Sequence, residues 1–202
     1  MKILQLNSIT NFKFQTMKTM KTMKNISFYA LLSIAMIGCS DDDTAPEVIN
    51  DEELITTVIL TLTQESGDQV VLTTVDLDGD GPDEPVTTVV GNFSQNTQYT
   101  GAVQFLNETE DPAEDITEEV IEEADEHQVF YTVSEGLNIT TTYQDFDSND
   151  NPLGVNITLE TGEASSGSLT VTLRHEPVKP NDGLDSAGGE TDIATSFDVT
   201  IE

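Results

Sequence analysis

From residue 53 to the carboxyl end the apolar residues fall on alternate positions, with Thr, Ser and acidic residues between them. Val58, Leu60 and Leu62 make one such stripe, Tyr99, Val103 and Phe105 share a face across Gly101, and Leu137, Ile139 and Tyr143 make another. The same period runs through Val155, Ile157 and Leu159, through Leu169, Val171 and Leu173, and through Phe197, Val199 and Ile201. Successive side chains of an extended chain point to opposite faces, so this period predicts strands with one buried face. Thr, Val and Ile suit that half-buried pleated surface. Gly67-Asp68, Gly79 to Pro82, Asn149 to Pro152, Gly162 and Gly188-Gly189 punctuate the stripes as turns. About eight or nine strands at these spacings predict an all-β, immunoglobulin-like sandwich in a single domain over 53–202. Without a Cys pair or a core Trp, it is not an antibody-type domain.

One segment departs from the alternation. Asp115-Ile116-Thr117-Glu118 has the form of a capping box, and Ile116, Val120, Ala124 and His127 fall near one face of a helix running to about His127. Its acids, from Asp115 to Glu126, have no basic residue among them. The pairs 115/119, 118/122, 119/123 and 122/126 repel by about 0.2–0.5 kcal/mol each. Docking of the Ile116/Val120 face or a bound cation must offset this.

The amino-terminal pattern is different again. Basic Lys24 precedes an apolar run from Phe28 to Ile37, and small Gly38 precedes Cys39. The run is shorter than the roughly 20 residues a spanning helix needs, and reads as a signal peptide over 1–38. Met17, Met20 and Met23 each precede a Lys, and a start at Met23 would leave the first 22 residues untranslated. Met36-Ile37-Gly38-Cys39 resembles the lipobox of bacterial lipoproteins, which implies acylation of Cys39 and a stable anchor. Residues 39–52 then form an acidic tether, and Ser40-Asp41-Asp42-Asp43 resembles the export signal of surface lipoproteins in Bacteroidetes. That resemblance implies the outer membrane, facing the exterior, with the periplasmic face as the alternative. The segments around Thr44 and Ser186 resemble the short O-glycosylation sequon of that phylum.

Charge sharpens this division. The 202-residue chain has 7 Lys plus Arg against 38 Asp plus Glu, a net charge of -31. Five of the seven bases precede residue 39, so a chain beginning at Cys39 keeps only Arg174 and Lys179, giving 2 minus 38, or -36. Such a surface repels phosphate, which excludes nucleic acid as a partner. A lone Cys excludes a disulfide framework. No Gly-x-Ser-x-Gly elbow occurs, neither His has an evident nucleophile partner, and the absence of Trp removes the usual sugar-stacking platform. The chain is expected to be non-enzymatic.

The candidate chemistry is therefore cation binding. Asp76, Asp78 and Asp80 alternate ahead of Gly81 like the first half of a calcium loop, but the twelfth position is Thr87 in place of the bidentate Glu. Asp145, Asp147, Asn149 and Asp150 form a weaker cluster of the same kind. His127 and His175 are the only imidazoles. Glu123 precedes His127 by one helical turn, a pairing that suits zinc, copper or iron better than calcium. A structural His at each position, and an acidic turn without an ion, are the competing readings.

The segments Asp76 to Gly81, Leu106 to Thr109, Asp115 to Glu119, Glu122 to Gln128, Leu173 to Pro177 and Gly188 to Asp192 resemble a group of small flavobacterial lipoproteins labelled "type 1 periplasmic binding fold superfamily protein". The label implies a two-domain α/β ligand-binding fold, which needs alternating strands and helices over about twice this length. The strand pattern predicts the sandwich instead. Two functions are expected: a cation or small-solute binding accessory, handing its ligand to an outer-membrane transporter, or a structural or adhesive surface sandwich with no specific small ligand.

Overall fold

The computed structural model describes residues 54–79 and 81–202. Ten strands and two short helices succeed one another as β1 (Thr57–Gln64), β2 (Gln69–Val75), β3 (Val86–Val90), β4 (Gln98–Asn107), β5 (Glu114–Asp115), α1 (Ile116–Glu122), β6 (His127–Val133), β7 (Ile139–Tyr143), β8 (Asn156–Thr161), β9 (Ser165–His175), α2 (Leu184–Ala187) and β10 (Glu190–Ile201). They form two sheets. One has the order β3-β2-β1-β4-β8-β7, with β5 beside β4, and the other has the order β10-β9-β6. All strand pairs are antiparallel. The all-β sandwich expected from the alternation is the observed architecture.

The stripes are the reason. Val58, Leu60 and Leu62 of β1, Phe105 of β4, Ile157 and Leu159 of β8, and Leu169, Val171 and Leu173 of β9 are buried between the sheets in one apolar cluster with Phe197, Val199 and Ile201 of β10. The facing sheets also meet through buried hydroxyls, Thr74 and Thr195, 2.5 Å apart. Three times the chain leaves one sheet for the other. The small sheet is thus assembled from β6 on one excursion and from β9 and β10 on another.

The helix is shorter than its pattern predicts. Asp115 caps α1 by accepting from the Thr117 amide at 3.1 Å, and the hydroxyl of buried Thr117 accepts from the Phe105 amide at 2.9 Å. Although partial burial alone would raise the Asp115 carboxyl, hydrogen bonds from Thr117 and Gln104 hold it below its ordinary value. Ile116 and Val120 are buried on this seam. Each such apolar side chain contributes about 1.5–3 kcal/mol, against a few tenths for each repelling acid pair. Docking therefore wins while the apolar face lasts. Past Val120 the chain offers only acids and Ala124 after exposed Ile121, and α1 ends at Glu122.

Candidate metal centre

His127 is the first residue of β6 and not the end of a helix, which corrects the expected pairing of its ring with the Glu123 carboxylate. Glu123 is exposed, and what it presents to His127 is its backbone carbonyl, 3.3 Å from Nδ1. A carbonyl only accepts, so this contact places the proton of a neutral ring on Nδ1 and the lone pair on Nε2. A backbone carbonyl behind one ring nitrogen is also how proteins orient an imidazole whose other nitrogen binds a metal.

The register of β6 on β9 pairs His127 directly with His175. His127 lies two positions before buried Val129, and His175 two after buried Leu173, so both rings continue the inward stripes at one end of the core. They stack with centroids 4.8 Å apart and planes 24° from parallel. His127 is fully buried and His175 is 5% exposed.

The third member is Asp192. The pairing of β10 with β9 slips between Thr191 and Ile193, leaving Asp192 as the extra residue. Such a bulge re-aims a side chain. The Asp192 side chain has no exposure and stands 4.0 Å from His175 Nδ1. One ligand atom from each of His127, His175 and Asp192 lies within 4.8 Å of the others. Gly189 makes the approach of β10 possible: at φ +69° it passes so close to the His175 carbonyl that a Cβ would overlap the oxygen. Nothing in the alternation marks Asp192, because a bulge is a break of period; the Gly188-Gly189 pair just upstream is its one local signal.

The other candidate residues fare differently. Asp78 is exposed, its carboxylate accepting from the Asp83 amide at 3.3 Å. One carboxylate oxygen of Asp76 is buried without a hydrogen-bond partner among the described residues. Neither acid joins a three-donor cluster among those residues, and Asp80 lies outside them. Cys39 and Thr44 also lie outside the described residues. The Ser186 hydroxyl donates to the Gly183 carbonyl and accepts from the Asp182 amide, both at 3.0 Å.

The cluster near Asp147 holds a cation of the protein's own. Lys179 Nζ donates to the carbonyls of Ala124 at 2.7 Å and His127 at 2.5 Å, and to Asp147 at 3.3 Å. The Lys179 and Asp147 side chains are 5% and 1% exposed. Burial moves Lys179 below its ordinary value, against the attraction of Asp147 and Asp125. The Asp147 carboxylate, which burial alone would raise, is held below its ordinary value by hydrogen bonds from Asn151, Asn149 and Lys179. Lys179 thus places a positive charge just beyond the C-terminal end of α1, the end that favours a cation.

Comparison with protein-family models, curated proteins and solved structures finds no match. What the donor set could hold is therefore read from its chemistry alone. Two imidazoles and one carboxylate suit zinc, copper or nickel, whereas calcium prefers six or more oxygens. In tetrahedral coordination donor atoms stand about 3.4 Å apart. Binding would therefore draw these side chains inward by roughly an ångström.

Proposed function

We propose that the chain is a non-enzymatic, lipid-anchored binding protein for a divalent transition-metal ion, held by His127, His175 and Asp192. The reading rests on one observation: the only two imidazoles, distant in sequence, are buried face to face beside a buried carboxylate. Three protein donors leave a coordination position for water or a passing solute. The lipobox-like segment at Cys39 and the acidic tether support an outer-membrane position, facing the exterior, as does the resemblance to flavobacterial lipoproteins. An accessory role beside an outer-membrane transporter is part of the same reading.

Calorimetric titration of the metal-stripped chain with zinc, copper, iron and calcium tests it. One of the transition ions is expected to bind at a single site, and at a hundred times its Kd to stabilise the fold by about 2.7 kcal/mol. Asp192→Asn and His175→Gln should abolish this while leaving the apo fold intact by circular dichroism. No heat and no thermal shift with any transition ion would leave a structural or adhesive sandwich as the better account.

A further inference from the structure

His175 belongs to two donor groups. Besides the buried set with His127 and Asp192, its ring lies with the carboxylates of Glu126 and Glu176, again with one ligand atom from each within 4.8 Å of the others. The register explains the second group. Since His127 pairs with His175, the residues just outside the pair, Glu126 and Glu176, face each other, and the Glu176 amide donates to the Glu126 carbonyl at 2.7 Å. Both glutamates are exposed, whereas His127 is fully buried and the Asp192 side chain has no exposure. One imidazole is therefore shared by a solvent-facing pair of hard oxygen donors and an interior set richer in nitrogen, which holds late first-row ions more tightly. A buried site also needs a path in.

From this shared ring we infer that Glu126 and Glu176 form a receiving site, where a divalent transition-metal ion is captured with His175 before passing to His127 and Asp192. The inference rests on the metal-binding reading of the buried centre. Capture by exposed carboxylates sets the rate of loading and of release, while the interior donors set the affinity.

Cobalt(II) is a suitable probe, because its visible absorption reports coordination directly and can be followed by stopped flow on the whole chain. Glu126→Gln/Glu176→Gln is expected to slow both association and dissociation about tenfold, with the equilibrium Kd changed less than about threefold. The control is Glu135→Gln/Glu163→Gln, which removes the same charge from positions elsewhere on the chain. If both double variants load at the same rate, loading reflects only the general field of the acidic surface and the receiving site is wrong, while the buried centre stands. If the first variant loses affinity with its association rate unchanged, the glutamates are resident ligands and the inference again fails. If the unaltered chain takes up no cobalt or zinc, the metal-binding reading itself fails.

Discussion

Gly101 lies in the middle of β4, where a glycine ordinarily weakens a strand. Its neighbours across the sheet leave no room for more: a Cβ there would stand 2.7 Å from Ile157 Cγ1 and 2.8 Å from Leu62 Cδ2. Both obstructions are side-chain atoms of buried residues, which yield more readily than backbone, so Gly101→Ala is expected to cost about 1–3 kcal/mol by overpacking. Gly189 is obstructed by backbone and has a φ of +69°, which L side chains seldom adopt. Gly189→Ala should therefore cost more, about 3–5 kcal/mol, from strain and clash together. Urea unfolding of the two variants side by side would give the order. Equal costs would show that β10 approaches His175 less tightly than the backbone clash requires.

Lys179 joins three segments of the chain: the turn after α1, the start of β6 and the loop carrying Asp147. Removing one partner of a buried pair leaves the other charge uncompensated, so Lys179→Met is expected to destabilise by about 3 kcal/mol. For a domain of this size that is a fall in melting temperature of about 6–12 °C. Asp147 gives the pH dependence. Its carboxyl is held below the ordinary value of 3.8, so its contribution is fully present above that pH and is lost as pH falls through the lower folded value. The stability difference between the unaltered chain and Asp147→Asn should therefore be constant from about pH 7 to pH 5 and shrink below 3.8, as urea midpoints would record. A difference independent of pH down to about 2.5 would contradict the ion pair.

With 38 acids against Arg174 and Lys179 after residue 39, the molecule as a whole repels itself. Raising ionic strength from about 0.01 to 1 M shortens the screening length from about 30 to 3 Å, so the melting temperature should rise smoothly with sodium chloride. Choline chloride should do the same, since screening does not depend on which cation supplies it. Asp192→Asn should keep this slope while losing any response to micromolar transition metal. A melting temperature insensitive to salt would mean that the acids lie too far apart to matter. The general field and the specific centre are thus separable at the scale of the whole molecule.

The alternation of apolar residues marked β1, β4, β7, β8, β9 and β10, and with them most of the inward-facing residues of the core, because the parity of an extended chain is a local property; β2, β3 and the short β5 carry no such stripe, and the start of β6 reads in sequence as the end of a helix. That β9 runs on to His175, two positions past Leu173, and so turns its ring inward, is seen only in the structure. The acids gave the sign of the charge to be balanced by the same local reading. Register and chain crossing are not local. That β6 lies beside β9, bringing His127 onto His175, was decided by how two sheets bury their stripes against each other. That Asp192 turns inward was decided by a bulge, and that α1 stops at Glu122 by the end of its buried face. That the cation beside the helix is Lys179 was decided by the path of the chain after β9. Each of these depends on which surfaces are left to cover once the strands have formed, and only the assembled sandwich settles that.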